Sequence, residues 1–276
     1  MSLGMVAFYT FLERKVLGFS QNRIGPNKLM FTGFGQPVMD GMKLLMKNSL
    51  TPLFVQVVYF ISCVLVFLVF LMVFLFSPWK YSANIVRISF LLVFTMIGIG
   101  TYTVILMGWS ITSSFSKLGS LRAMLQGLSF EVALVMSFFL VLLMFSSLSM
   151  LSFLSAYELM FIWVVSWLVL CLMESNRAPF DLLEGESELI SGFNLEMGGL
   201  MFVFIFLSEY GMLFMLVMFT MVPFKGSLNF EGVIISSLML LIRGCYPRVR
   251  YDYLMLLMWQ FMLPFMILLL MGLSLS

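Results

Sequence analysis

Residues 53–76 read LFVQVVYFISCVLVFLVFLMVFLF, a run of 24 positions without one charged side chain. An α-helix rises about 1.5 Å per residue, so about 20 apolar residues cross the hydrocarbon core of a bilayer. The run therefore predicts a membrane-spanning helix, and similar charge-free runs locate the others.

The composition extends this prediction to the whole chain. Hydrophobic residues make up 62% of 276 positions, charged residues make up 10%, and the mean hydropathy is +1.09. Soluble domains carry about 25% charged residues. We therefore expect an all-α polytopic membrane protein with a single membrane domain, residues 1–276. A net charge of +2 is too small to indicate a nucleic-acid partner.

Eight membrane spans are predicted from the charge-free runs. Seven helices are expected near 53–76, 87–110, 122–145, 154–173, 197–222, 228–244 and 253–272. The N-terminal segment MSLGMVAFYTFL would be the eighth, although 12 residues are too short to cross alone. Either this helix continues through ERKVLGF, or upstream sequence is missing.

The distribution of basic residues predicts the orientation of these spans. One side receives Lys80, Arg87 and Lys225, and the other side receives the remaining twelve, which the positive-inside rule assigns to the inner face. Those twelve are Arg14, Lys15, Arg23, Lys28, Lys43, Lys47, Lys117, Arg122, Arg177, Arg243, Arg248 and Arg250. Both termini are then expected on the outer side.

An amphipathic helix is predicted on the inner face at residues 33–48. Val38, Met42, Leu45 and Met46 form one apolar stripe there. We expect this helix to lie along the membrane surface.

The residue types argue against a cofactor bound by this chain. It has no histidine, and its three cysteines are far apart, so metal and iron–sulfur sites are not expected. No GxxxxGK[ST] loop for a nucleotide is present. If the protein serves electron transfer, another chain carries the electrons.

Two glutamates are predicted inside the membrane. Glu131 and Glu209 each lie about 13 Å or more along a membrane helix from its inner end. A carboxylate at that depth is costly and usually functional, so both are candidates for a proton path. The alternative is a structural interhelical hydrogen bond, with Ser137 or Tyr210 as a partner.

Six of the 13 acidic residues fall in the stretch ESNRAPFDLLEGESELISGFNLE, residues 174–196. They are Glu174, Asp181, Glu184, Glu186, Glu188 and Glu196. Closely spaced carboxylates repel one another, which favours proton uptake and release near neutral pH. Apolar residues interleave with them, so we expect a partly buried loop at the mouth of a proton path. A solvated face without function is the alternative.

Several motifs resemble one family in family order: ERKVLGFSQNRIGPN (13–27), GQPVMDGMKLLMKN (35–48), SFEVAL (129–134), ESNRAPFDLLEGESELISGFNLE (174–196) and YPRVRYDYLM (246–255). This is the NADH–ubiquinone oxidoreductase chain 1 family, the quinone-proximal membrane subunit of respiratory complex I. The resemblance implies a mitochondrial inner-membrane protein, and 27 Met and 31 Phe against six Ala fit an organellar gene.

The resemblance also implies roles for individual residues. The residues expected to line a ubiquinone tunnel are Arg14, Asp40, Arg177, Phe180, Asp181 and Glu184. Those expected in a path between the quinone site and the proton pumps are Glu131, Glu174, Glu186, Glu188, Glu196 and Glu209. FMN and iron–sulfur clusters would belong to partner subunits, and the lipid bilayer and the other complex I subunits would be the partners.

The family pattern is broken at two places. The N-terminus is short, and Phe130 stands where a tyrosine is frequent. Two alternatives stay open: a stand-alone proton channel or secondary transporter, and the related subunit of a membrane-bound hydrogenase.

Overall fold

The computed structural model describes residues 2–47, 53–76, 83–111, 113–147, 153–175, 177–180, 198–221 and 231–275. Over these ranges the regular structure is helical, without a strand. The helices are α1 Ser2–Ser20, α2 Met30–Gly33, α3 Gln36–Leu45, α4 Leu53–Phe76, α5 Ala83–Ser110, α6 Ser114–Ser147, α7 Phe153–Glu174, α8 Gly199–Met221, α9 Glu231–Cys245, α10 Tyr251–Leu256 and α11 Leu263–Leu275, with a π-helical turn Leu257–Met262 between the last two.

The prediction of an all-α polytopic membrane protein is confirmed. Within the described ranges, five helical segments are long and apolar enough to span a bilayer: Val57–Phe76, Leu91–Ser110, Ser114–Val141, Gly199–Thr220 and Tyr251–Gly272. Two shorter apolar helices cover Phe161–Glu174 and Ile234–Cys245. With α1 these are the places where the eight spans were predicted; eight as the number of crossings stays a prediction.

Helix α1 continues through the charged residues of the ERK motif. It runs from Ser2 to Ser20, so its 19 residues extend about 28 Å. The helix therefore continues through ERKVLGF, as the first of the two possibilities required. Glu13 then lies inside a helix rather than at its end, which matters for the site described below.

Helix α6 begins earlier than predicted. The sequence suggested a loop at 111–122, but the helix starts at Ser114 and includes Lys117 and Arg122. Charge-free runs mark only the part of a helix that crosses hydrocarbon, so they miss a polar first turn. The first turns of α6 also pack tightly on α5, since a methyl group added at Gly108 would overlap the Ser120 side chain.

The last membrane helix is interrupted by a π-helical turn. Prediction placed one helix at 253–272, and the chain is helical from Tyr251 to Leu275 with the turn at Leu257–Met262. Pro264 follows this turn and has no backbone N–H to donate. Insertion of a wider turn is one way a helix accommodates such a residue.

The core is built around aromatic side chains from α5, α6, α7 and α8. The Phe138 ring meets the Phe94, Trp167 and Phe219 rings edge-on, with centroids 4.6, 4.8 and 5.8 Å away. Trp163 stacks on Trp167 at 5.5 Å, and its Nε1 donates to the Ser137 carbonyl at 2.9 Å. These contacts fix how α6, α7 and α8 face one another, and with them the acids those helices carry.

The segment predicted as one amphipathic helix at 33–48 contains α3, Gln36–Leu45, and the short α2 ends at Gly33 before it. The stripe of Val38, Met42, Leu45 and Met46 is exposed along its length. None of the residues of α3 is buried. The apolar stripe therefore lies on the outside of the chain, as a surface helix requires.

Candidate functional site

Arg14 and Asp40, two of the predicted tunnel residues, are joined in an ion pair. Arg14 Nη2 on α1 lies 2.8 Å from Asp40 Oδ2 on α3. The other oxygen of Asp40 accepts a hydrogen bond of 2.8 Å from Gln36 Nε2. Both charged side chains are more than one-third exposed. An exposed ion pair contributes about 0–1 kcal/mol to the free energy of unfolding, so this pair does little to stabilise the fold.

A second ion pair, which the sequence did not suggest, lies buried behind the first. Arg243 Nη1 on α9 is 2.8 Å from Glu13 Oε1 on α1, and both side chains are about nine-tenths buried. Tyr9 and Tyr210 border it, with ring centroids 6.3 Å apart. Both tyrosines interact electrostatically with Glu13 and Arg243. The sequence did contain one indication of a buried Glu13. If the first helix continues through ERKVLGF, Glu13 lies inside that helix.

Arg177 connects the end of α7 to α8. Its Nη2 donates to Glu209 Oε2 at 3.4 Å. Its guanidinium lies over the rings of Tyr210 and Phe206, at 4.7 and 5.4 Å from their centroids. One side chain thus contacts a predicted proton-path acid and the tyrosine that borders the Glu13 pair. Tyr210, a possible partner of these acids in the structural alternative, lies against Arg177 and interacts electrostatically with Glu13 and Arg243.

A cavity of about 120 Å³ lies between α4, α5, α6, α7 and α8. Glu174 and Glu209 line it together with the hydroxyl-bearing residues Thr101, Ser175 and Ser208. Glu174 Oε2 is buried and has no hydrogen-bond partner among the described residues. A space of this size with several polar groups can hold several water molecules. Two acids from different helices, Glu174 on α7 and Glu209 on α8, therefore share one polar space within an apolar bundle.

Glu131 lies beside this group of acids. Its carboxylate rests against Gly98 of α5 and interacts electrostatically with Glu174. Ser137, a possible partner in the structural alternative, donates its Oγ to the Leu134 carbonyl at 2.6 Å. The helices thus bring together Glu131, Glu174 and Glu209, which are widely separated in the sequence.

Phe180 is buried in the main hydrophobic core. The turn before it is anchored where Val249 N donates to the Pro179 carbonyl at 2.9 Å, which joins the motif at 174–196 to the motif at 246–255. Phe130 is also fully buried. Five predicted site residues lie outside the described residues: Asp181, Glu184, Glu186, Glu188 and Glu196.

The described part of the chain contains no group of three or more Cys, Asp or Glu side chains that could hold a metal ion. What this part offers is a set of carboxylates, guanidinium groups and hydroxyls. The carboxylates can take up and release protons, and all three kinds of group form hydrogen bonds to polar molecules. The arrangement can hold and pass protons.

Comparison with known proteins gives one consistent result. A profile of the NADH dehydrogenase family matches residues 1–274. The chain is 42% identical over 276 residues to NADH-ubiquinone oxidoreductase chain 1 of Artemia franciscana, covering 96% of this chain and 91% of that protein. It is 37% identical over 291 residues to the protein of the same name from Heterololigo bleekeri, covering 98% and 92%. A third relative of that name, from Aedes aegypti, is 38% identical over 275 residues, covering 94% and 87%. The chain therefore belongs to the NADH-ubiquinone oxidoreductase chain 1 family, and it is a membrane subunit of the mitochondrial NADH:ubiquinone oxidoreductase complex.

Proposed function

We propose that this subunit provides the path by which ubiquinone enters the complex, and that its buried acids couple quinone reduction to proton translocation. The observation that carries the proposal is the cavity shared by Glu174 and Glu209. An acid in a membrane bundle is costly unless it pairs, takes up a proton or meets water. Two acids facing one polar cavity, with a third acid beside it, suit proton transfer better than packing.

The quinone part of the proposal rests on the charged residues around α1. Arg14 and Asp40 form a partly exposed polar pair beside the apolar stripe of α3. The buried Glu13–Arg243 pair, Tyr210 and Arg177 continue the polar groups inward. An apolar passage with a few fixed polar groups suits a molecule with a polar head and a long apolar tail. Phe180 and, outside the described residues, Asp181 and Glu184 complete the proposed tunnel.

Arg177 is the link between the two paths. It contacts Glu209 of the cavity and Tyr210 of the charged passage. A change of charge near the quinone head group would therefore act on Arg177 and, through it, on Glu209. Glu186, Glu188 and Glu196 are proposed to extend the acid path beyond the described residues. FMN and the iron–sulfur clusters are assigned to partner subunits, so electrons reach ubiquinone from outside this chain.

The test is Glu174→Gln in the assembled complex. Glutamine keeps the size of the side chain but cannot ionise. The substitution therefore leaves the shape of the cavity unchanged and removes the group that binds the proton. We expect quinone-linked NADH oxidation to fall about tenfold or more. NADH oxidation by a hydrophilic artificial acceptor should persist, because that reaction bypasses the membrane subunit.

Asp252→Asn is the matched control. Asp252 is exposed and pairs with Arg250 at 3.0 Å on the surface, so the same acid-to-amide change should leave both activities as they were. Full quinone-linked turnover in Glu174→Gln would contradict the proposed role of the cavity. Equal loss of both activities would indicate failed assembly, which a native gel identifies.

A further inference from the structure

Gly98 on α5 lies directly against the carboxyl group of Glu131 on α6. If a methyl group is placed on the Gly98 backbone, its three nearest atoms all belong to that carboxyl group. The methyl carbon would overlap Oε1, and it would lie 3.2 Å from both Cδ and Oε2. The hydrogen of glycine therefore leaves the room that the acid occupies.

The requirement for glycine at this position comes from space rather than from backbone conformation. Gly98 has no positive φ and lies in the middle of a regular helix. Gly100, two residues further on, provides a contrast, because a methyl group there would meet only Val69 Cγ1 at an ordinary 3.7 Å. A methyl group at Gly98 would force the end of the Glu131 side chain to move, since that end is flexible and the two helix backbones are packed together.

The neighbours of Gly98 connect this contact to the shared cavity. Ile97, Gly100 and Thr101 line the cavity that holds the Glu174 and Glu209 carboxylates. Thr101 Oγ1 donates to the Gly98 carbonyl at 2.8 Å. The Glu131 carboxyl group thus meets α5 where that helix forms the cavity wall.

We propose that Gly98 is a positioning residue that holds the Glu131 carboxyl group in place for proton exchange with the other acids. The proposal rests on the function proposed above for Glu131. Proton transfer requires donor and acceptor atoms at hydrogen-bond distance, about 2.6–3.2 Å apart or joined by one water. A methyl group at Gly98 displaces the acid without altering its chemistry, and a displacement of about 1 Å is enough to break such an arrangement.

The experiment compares Gly98→Ala, Glu131→Asp and the double variant in the assembled complex. Gly98→Ala is expected to lower quinone-linked turnover about tenfold. In the double variant, the aspartate carboxyl group is one methylene further back, so the methyl group has room. The methyl group should therefore have little effect when residue 131 is aspartate, so the double variant should turn over about as fast as Glu131→Asp. A defect at Gly98 that does not involve Glu131 would instead slow the double variant relative to Glu131→Asp.

Gly272→Ala is the matched control, because it makes the same change in another membrane helix where a methyl group meets nothing within 4 Å. Its turnover should stay within about twofold of the unaltered complex. The proposal is overturned if Gly98→Ala behaves like this control. It is also overturned if the double variant turns over much more slowly than Glu131→Asp.

Glu131→Gln, assayed in parallel, separates this inference from the proposed function. If Glu131→Gln turns over at the full rate, Glu131 is not part of the proton path. That result overturns both the positioning role of Gly98 and the function proposed for Glu131. If quinone-linked turnover is slow in Glu131→Gln but normal in Gly98→Ala, only the positioning role of Gly98 is overturned. If Gly98→Ala does not assemble, the double variant is compared with Glu131→Asp. Equal turnover supports the proposal, and much lower turnover of the double variant overturns it.

Discussion

Arg177 contacts three residues of the site through one side chain. It reaches Glu209 at 3.4 Å while its planar group lies over Tyr210 and Phe206. Lysine could supply the charge but not the flat surface that stacks on two rings. The geometry therefore depends on arginine in particular.

Replacing Arg177 tests the proposed link between the quinone passage and the acids. Arg177→Gln removes the cation that contacts Glu209 and lies over Tyr210, so the proposed link is lost. We expect slower quinone-linked turnover with the rate to a hydrophilic acceptor preserved. Arg177→Lys should give an intermediate rate, because it restores charge without stacking. A lysine variant no better than the glutamine variant would show that charge at this position is not what matters.

At the scale of elements, the buried Glu13–Arg243 pair fixes α1 against α9. Removing one partner of a buried ion pair costs about 3–5 kcal/mol, because the other charge stays buried without compensation. Removing both can cost far less, since two desolvated charges disappear together. The pair therefore acts as a specific connection between the first helix and a helix near the other end of the chain.

A double-variant comparison measures this connection. Glu13→Gln alone should lower the thermal stability of the complex, seen as loss of the assembled band on native gels after heating. Glu13→Gln combined with Arg243→Met should be more stable than Glu13→Gln alone. Arg243→Met alone completes the comparison. If the loss of thermal stability in the double variant equals the sum of the losses in the two single variants, the two residues are not coupled.

The elements also show what could be predicted from the sequence. The helix at 53–76 was placed at the observed Leu53–Phe76, since hydrocarbon excludes charge and the run length is therefore decisive. The start of α6 was missed because Ser114–Arg122 is helical but polar. The Glu13–Arg243 pair could not be predicted, because a contact between distant helices depends on how the whole bundle packs. The contact of Gly98 with Glu131 could not be predicted for the same reason.

At the scale of the molecule, the predicted orientation is open to labelling with the native cysteines. Cys245 is exposed at the end of α9, whereas Cys63 and Cys171 are buried. Ser120 cannot serve as a reporter position, because its side chain is fully buried. Ser82, Ser187 and Ser227, in predicted loops or near predicted helix ends, lie outside the described residues.

A membrane-impermeant thiol reagent should label Cys245 in inside-out vesicles of the inner membrane and not in right-side-out ones. The basic residues around it, Arg243, Arg248 and Arg250, place it on the inner face under the positive-inside rule. Cys245→Ser should abolish the signal. Gly4→Cys in that background, where a side chain meets nothing within 4 Å, should label with the opposite preference. Labelling of both positions from one side would contradict the predicted topology.

For the whole subunit, we propose that quinone reduction drives proton movement through acids that change charge inside the membrane. Proton translocation by assembled complexes carrying Glu131→Gln or Glu131→Asp tests it most directly. Aspartate is shorter but still ionises, whereas glutamine keeps the size and the hydrogen bonding without ionising. We expect more proton translocation per NADH oxidised from the aspartate variant than from the glutamine variant. Full translocation by the glutamine variant, equal to that of the unaltered complex, would contradict it.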